Sequence, residues 1–298
     1  MLNGGRLGDN LVNFCKSKWL AYKYKMPFFY TPFPYSDQLQ LSIYEKTERE
    51  GPGYYRAIQL NHENDINPTA GVLYVSTYYM NPNDWQIGDG VIAIDFLLND
   101  KVFLDELRRD FEPRYPLNLI PLPNNSITIA LHLRKAAGPD APLLHGLAER
   151  DPRQAYTDWV FPLKCPPDEF YMSALKTLSE LFHDRPIYAY LFTDDPNPEK
   201  FAQKYALFLN KPNITFDWRK QGNTHAANVI EDFKSLQQFD CLIRADSNFS
   251  KISDVVGNNK IIMFPKRSHW EGNFLIIDEI QTTIKDHDWV EAMKELSR

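Results

Sequence analysis

Two cationic side chains stand two residues apart at the end of a predicted strand. In SITIALHLRK, residues 126–135, apolar residues alternate with small ones, which is typical of a buried strand. Because side chains alternate between the two faces of a strand, His132 and Arg134 share one face at its C-terminal end. A guanidinium is a planar, permanently charged fork that suits phosphate oxygens, so the pair indicates an anion site. The alternatives are an arginine paired with a surface acid and a histidine satisfied within the core.

Polar residues also follow two further predicted strands. In LFTDDPN, Asp194 and Asp195 come directly after a strand. A carboxylate there can accept two parallel N–H bonds, as a guanine base offers, but it can also bind a metal or cap the next helix. In RADSNFSKISD, a helix opens with Ser247, Asn248 and Ser250. Hydroxyls and free N–H groups at a helix start suit phosphate, and ordinary N-capping is the alternative.

A glycine-rich segment precedes the first predicted helix. Residues 3–10, NGGRLGDN, contain Gly4, Gly5 and Gly8 and end at Asn10. Glycine allows close backbone approach and positive φ, and a helix start offers free N–H groups to an anion. The segment either contacts an anionic ligand or forms a tight turn that Asp9 or Asn10 caps.

The order of the predicted elements brings the polar groups of the second half together. From residue 126 onward, amphipathic helices alternate with strands at 126–133, 187–192, 214–218, 241–243 and 261–264, the last stopped by Pro265. This alternation is typical of βαβ units and a parallel sheet. Ligands of such sheets bind beyond the C-terminal ends of the strands, where all three polar groups fall. A nucleotide sugar, with a base, two phosphates and an attached sugar, fits them.

The first half is less regular. It predicts helices at 10–25 and 101–111, strands at 28–30, 72–76 and 91–94, and a loop-like region over 31–70. The proline-rich stretch 113–123 is the best linker. We therefore expect an N-terminal α/β domain over 1–124 and a nucleotide-binding domain over 125–298.

Composition limits the classes of function. The chain has 298 residues, 43% hydrophobic and 24% charged, which is ordinary for a folded soluble protein. A net charge of −6 argues against a general nucleic-acid binder. Cys15, Cys165 and Cys241 lie far apart, so they predict no metal spacing and no disulfide framework. No uncharged apolar run reaches the roughly 18 residues of a membrane span. We expect a cytoplasmic protein without a signal peptide or an integral membrane span.

Four segments resemble motifs of fucosyltransferases, in the same order. GGRLGDNL resembles the Gly-Gly-x-Gly-Asn-Gln loop of α1,2-fucosyltransferases, and HLRK resembles the His-x-Arg-Arg motif shared by α1,2-, α1,6- and protein O-fucosyltransferases. LFTDDPNPEKFAQKY is similar to the Thr-Asp-Asp-Pro segment of α1,6-fucosyltransferases, and RADSNFSKISDVVG resembles the Ser-x-Phe-Ser motif near the end of these enzymes. The resemblance covers residues 2–22 and 126–270.

This resemblance implies a fold, a donor and a set of roles. The fold is α/β and GT-B-like, with two Rossmann-type domains facing a central cleft, the first on the acceptor side and the second binding the donor. The donor is GDP-fucose, the anomeric carbon is inverted, and no metal is required. Arg134 holds the pyrophosphate and stabilises the leaving GDP, His132 lies near the guanosine, and Asp195 accepts from the guanine edge. The pyrophosphate and base pocket is completed by Ser247, Phe249 and Ser250.

The resemblance implies that the catalytic base is a carboxylate of the loop before residue 161. In α1,6-fucosyltransferases a carboxylate lies three residues before a Phe-Pro-like stretch, and in DWVFP that residue is Asp158. The same loop contains Asp140, Glu149 and Asp151. A solvated loop acid, or a dissociative reaction without a base, is the alternative.

The leading function is transfer of fucose to a hydroxyl of a glycan or another acceptor. The runner-up is a nucleotide-sugar- or carbohydrate-binding protein on the same fold that catalyses no transfer. A third possibility is a transferase that uses another nucleotide sugar. In each case the partners are a nucleotide sugar, a carbohydrate or both.

Overall fold

The computed structural model describes residues 6–47, 56–60, 66–67, 72–76, 100–134, 162–183, 185–224, 227–272 and 274–295. The chain divides into two compact units, Met1–Asn118 and Leu119–Arg298. The division lies inside the proline-rich stretch that the sequence indicates as a linker. The assignment of an acceptor side to the first domain and of donor binding to the second stays a prediction. No helix in the described ranges is long and apolar enough to span a membrane.

The first unit begins with a long helix and continues through short elements. These are α1 (Leu7–Lys23), β1 (Phe29–Tyr30), α2 (Leu41–Tyr44), β2 (Lys46–Thr47), β3 (Arg56–Leu60), β4 (Val72–Ser76) and α3 (Lys101–Asp110). Strands β1 and β2 pair in parallel, as do β3 and β4. The described part of the region 31–70, predicted as loop-like, therefore contains two short strands, a 3-10 turn at Ser36–Gln38 and the short helix α2. The predicted strand at 91–94 lies outside the described residues.

A buried lysine joins α1 to α3 and to the C-terminal end of α2. The side chain of Lys18 is only 6% exposed, and its Nζ lies 2.7 Å from Oε1 of Glu45 and in contact with Oδ2 of the fully buried Asp110. Arg109 also binds Asp110, at 2.8 Å. Burial by itself would lower the pKa of Lys18, but the charges and hydrogen bonds of Asp110 and Glu45 raise it above its usual value. Lys18 is therefore a buried, charged side chain whose ion pairs connect segments of the first unit.

The second unit is built on one six-stranded sheet. Its strands are β5 (Ile127–Leu133), β6 (Ile187–Thr193), β7 (Ile214–Trp218), β8 (Cys241–Arg244), β9 (Ile261–Glu271) and β10 (Phe274–Ile284). Its helices are α4 (Asp168–Leu181), α5 (Glu199–Leu209), α6 (Val229–Leu236), α7 (Asn248–Val256) and α8 (His287–Glu295). The strand order is β10–β9–β8–β5–β6–β7, and only the β9–β10 pair is antiparallel. The predicted α/β fold class with a mostly parallel sheet is confirmed.

The alternation along β5 separates two apolar layers. Ile129 and Leu131 pack in the layer that includes residues of α4 and α5. Ala130 packs in the other layer, with Leu236 of α6 and Leu242 of β8. His132 follows Ala130 by two residues and therefore lies on the α6 side of the sheet. The predicted strand and its period are thus confirmed.

The strand β9 is longer than the sequence predicts. Pro265 was expected to stop it, but the strand continues to Glu271 and pairs with β10. The last residue of β9 that pairs with β8 is Met263. Beyond that point β10 is the strand partner of β9 among the described residues, so a residue without an N–H is tolerated.

Candidate functional site

The strand order reverses between β5 and β8. The chain runs from β5 through β6 to β7 on one side of the sheet, then crosses over to β8 and β9 on the other side. In open α/β sheets the crevice at such a reversal, beyond the carboxyl ends of the strands, is the usual ligand-binding position. The C-terminal ends of β5 and β8 are therefore the candidate site.

His132 stands next to this crevice. It is half-buried, and its Nδ1 is shielded from solvent with no hydrogen-bond partner among the described residues. The hydroxyl of Tyr171 on α4 donates to its carbonyl oxygen at 2.9 Å, which fixes the end of the strand. Its ring lies 5.7 Å from the ring of Phe249 at the start of α7. The half-buried Arg134 follows directly after the strand, on the same side as His132 by the period of two.

Burial lowers the pKa of His132 to about 3, and the positive charges of Arg134 and Arg244 add to this effect. The imidazole is therefore neutral at physiological pH. A neutral ring can donate from one nitrogen and accept at the other. It suits a hydroxyl or a base edge beside a phosphate better than it suits the phosphate itself.

The depressed pKa predicts acid sensitivity of the fold. Below pH 6.5 the unfolded chain takes up a proton at His132 that the folded chain takes up only near pH 3, so acidification favours unfolding in this window. We expect the unfolding free energy of the wild type to fall faster than that of His132→Gln, by roughly 1 kcal/mol per pH unit below pH 6. Denaturant titrations between pH 7.5 and 4.5 measure the difference. Parallel profiles for the two proteins would show that folding does not lower the pKa of His132.

Arg244 is a site residue that the sequence analysis missed. It is the register partner of His132 on β8 and only 3% exposed. Its guanidinium carbon lies 4.3 Å from the ring centroid of Phe264. Its Nε has no hydrogen-bond partner among the described residues and lies 3.5 Å from Oδ2 of Asp254. The other carboxylate oxygen of Asp254 is 2.6 Å from Nζ of Lys285. Residues 241–247, CLIRADS, begin with a short apolar run that ends in an arginine. Because the end of β5 has a similar pattern, this run could have indicated Arg244 as a site residue from the sequence.

The start of α7 lies beside this pair of strand ends. Ser247 is the buried N-cap residue, and its side chain makes no capping hydrogen bond. Asn248 and Phe249 are half-buried. Ser250 is fully buried, and its hydroxyl is 3.3 Å from the carbonyl oxygen of Ser247. The hydroxyl of Ser250 therefore serves the first turn of the helix, whereas the alternative of N-capping by Ser247 is wrong.

Asp195 follows β6, the other neighbour of β5. It is buried, its Oδ1 accepts from the backbone N–H of Asn197 at 2.8 Å, and its Oδ2 lies 2.7 Å from Nζ of Lys200. The adjacent Asp194 is half-buried. Asp195 thus organises the turn before α5 but does not cap the helix, whose N-cap residue is Pro198 without a side-chain capping hydrogen bond. A carboxylate has about four acceptor positions, and the described contacts use two of them.

The structure brings most of the predicted donor-binding residues to one edge of one sheet. That set is His132, Arg134, Asp194, Asp195, Ser247, Asn248, Phe249 and Ser250, with Arg244 added. Gly8 and Asn10 lie in the first turns of α1 in the other unit, where the amide of Asn10 donates to the carbonyl oxygen of Arg6 at 3.1 Å. The helix begins at Leu7, so neither Asp9 nor Asn10 is its cap. Gly4, Gly5 and the predicted base Asp158 lie outside the described residues.

In the part of the chain that the structure describes, no group of three or more His, Cys, Asp or Glu side chains is arranged to hold a metal ion. Asp194 and Asp195 are therefore not joined by a third such ligand there.

Several solved structures are similar to this chain. POFUT1 in complex with GDP-fucose matches 86% of this chain and 93% of its own, with a TM-score of 0.43 and 10% identity. The apo form of POFUT1 matches 84% of this chain and 91% of its own, with a TM-score of 0.42 and 12% identity. NodZ α-1,6-fucosyltransferase soaked with GDP-fucose matches 72% of this chain and 59% of its own, with a TM-score of 0.34 and 10% identity. No protein-family model and no curated protein matches the sequence.

The comparison with these solved structures ends at that similarity, with TM-scores of 0.34 to 0.43. At these identities it assigns no role to any side chain. The roles of the residues at the sheet edge are argued below from their own chemistry.

Proposed function

We propose that this protein is an inverting fucosyltransferase that moves fucose from GDP-fucose to a hydroxyl of a glycan or another acceptor. The observation that carries the proposal is the meeting of His132, Arg134 and the start of α7 at the point where the strand order reverses. A permanent cation, a neutral imidazole and the positive end of a helix dipole together suit a nucleoside diphosphate. The motif resemblance supports guanine as the base and fucose as the sugar.

The proposed reaction is a single displacement. The acceptor oxygen attacks the anomeric carbon, the bond from that carbon to the β-phosphate oxygen breaks, and GDP leaves. Arg134 and the N–H groups at the start of α7 stabilise the negative charge that develops on the diphosphate. The proton of the acceptor hydroxyl passes to a carboxylate, for which Asp158 is the proposed base.

Nucleotide titration followed by a turnover assay tests the proposal. We expect GDP to raise the melting temperature and UDP and ADP to have little effect, because the base pocket is proposed to read guanine. We also expect GDP-fucose to be consumed when a suitable acceptor is present. A shift by GDP without turnover on a broad acceptor panel would favour a binding protein. A larger shift by UDP or ADP would favour another nucleotide sugar.

We further propose that transfer requires no metal ion. The charge of the departing GDP is balanced by Arg134 and by the helix start, the role that a divalent cation has in other transferases. Turnover of GDP-fucose with EDTA should equal turnover with added Mg²⁺ or Mn²⁺ after subtraction of background hydrolysis. A strict dependence on Mn²⁺ that no other ion restores would instead assign the Asp194–Asp195 pair to a metal.

A further inference from the structure

A surface lysine is held against the buried carboxylate at the end of β6. Nζ of Lys200, in the first turn of α5, lies 2.7 Å from Oδ2 of Asp195. The side chain of Lys200 is 52% exposed, whereas that of Asp195 is 8% exposed. The carboxylate is therefore fixed in the protein, and the ammonium is on the solvent side of the pair.

Two contacts hold the position of this ammonium. One is the ion pair with Asp195, and the other is the ring of Phe201, whose centroid lies 4.7 Å from Nζ. An ammonium has three donor positions and no acceptor. Since Lys200 is half exposed, donors beyond the one directed at Asp195 are open to a ligand at this edge of the sheet.

The pair offers a fixed row of hydrogen-bonding groups. Oδ1 and Oδ2 of Asp195 retain acceptor positions, and Nζ of Lys200 is a donor beside them. The Watson–Crick edge of guanine has the complementary row, which is an O6 acceptor followed by the N1–H and 2-amino donors. Adenine has an amino donor in place of O6 and would leave two donors facing each other.

We infer that Lys200 is a specificity-determining residue that donates to O6 of the guanine base while Asp195 accepts from its N–H groups. The inference rests on the proposed binding of GDP at this edge. It adds a second base-reading group, and it explains why an exposed lysine is held beside the carboxylate.

Substitution of Lys200 by methionine tests the inference. We expect Lys200→Met to weaken GDP and IDP by the same factor, about tenfold, because both nucleotides carry O6 and lose a charge-assisted hydrogen bond. ADP affinity should change less than about twofold. Isothermal titration calorimetry on the full chain gives the three dissociation constants. Lys200→Arg should recover part of the loss because it keeps a charged donor.

A matched control lies one turn along the same helix. Nζ of Lys204 is 2.7 Å from Oδ2 of Asp168, and its side chain is 49% exposed. Lys204→Met removes an ion pair of the same length and exposure away from the proposed base position. We expect it to leave all three dissociation constants unchanged, and melting curves verify that both variants are folded.

The outcomes separate this inference from the proposed function. If the wild type binds GDP no better than ADP, the proposed recognition of guanine by Asp195 and by Lys200 is overturned for both residues. If the wild type prefers GDP and Lys200→Met keeps that preference, only the role of Lys200 is overturned. A tighter affinity for GDP in Lys200→Met would overturn it as well, because the lysine would then compete with the base for Asp195.

Discussion

We expect Arg134→Ala to abolish sugar transfer and to weaken GDP binding about ten- to a hundredfold, which corresponds to one lost charge-assisted hydrogen-bond pair. Arg134 follows β5 directly at the crevice beside β8. Transfer should fall further than binding, since a group that stabilises charge developing in the transition state contributes about a hundred- to a thousandfold in rate. Calorimetry with GDP and an assay of GDP release measure the two effects.

Two comparisons make this result specific. Arg134→Lys keeps the charge but not the planar fork, so it should retain part of the GDP affinity and little of the transfer rate. Arg267→Ala removes an arginine whose side chain is 70% exposed on β9, and it should change neither quantity. If Arg134→Ala bound GDP as tightly as the wild type, the diphosphate site would lie elsewhere.

We expect Lys18→Met to lower the unfolding free energy by about 3 kcal/mol, because it leaves buried carboxylates without their main cation. Asp110 is fully buried, and Arg109 remains its only other positive partner among the described contacts. Glu45, whose side chain is 13% exposed, loses its 2.7 Å contact in the same variant. Equilibrium denaturation in urea measures the loss.

The same first unit provides the control for this effect. Lys101 lies on α3, its side chain is 87% exposed, and it is 3.6 Å from Asp105. Exposed pairs of this kind contribute little, so Lys101→Met should change the unfolding free energy by less than about 0.5 kcal/mol. Equal losses in the two variants would show that burial of Lys18 does not determine its contribution.

The sequence predicted strands β5 to β8 and the alternating helices of the second unit, and it predicted that His132 and Arg134 share one face of β5. These predictions depend on periods of two and 3.6 residues, which neighbours along the chain establish by themselves. The sequence did not predict β10, which forms by pairing with β9. The glycine at the C-cap of α7, Gly257, is explained only by the structure, because an added Cβ would lie 2.6 Å from the carbonyl oxygen of Ser253.

The role of Asp195 could not be decided locally. LFTDDPN fits a helix cap, a metal ligand and a base-reading carboxylate equally well, because all three use the same oxygens. The structure directs one oxygen to the N–H of Asn197 and the other to Lys200, and it buries the group. Because the Asp195 carboxylate is buried and held by these contacts, it is a fixed acceptor beside the donor Lys200.

Only the tertiary structure decided where the strand order reverses and which residues meet there. Arg244 ends a short strand far along the chain from His132, and its neighbours along the chain do not show that the two residues meet. The parallel pairing of β5 with β8 makes the two residues register partners, and the layer under α6 and α7 buries the guanidinium. The extension of β9 past Pro265 has the same origin, since it depends on pairing with β10. Pairing between distant strands is a property of the whole sheet, and local periodicity does not carry that information.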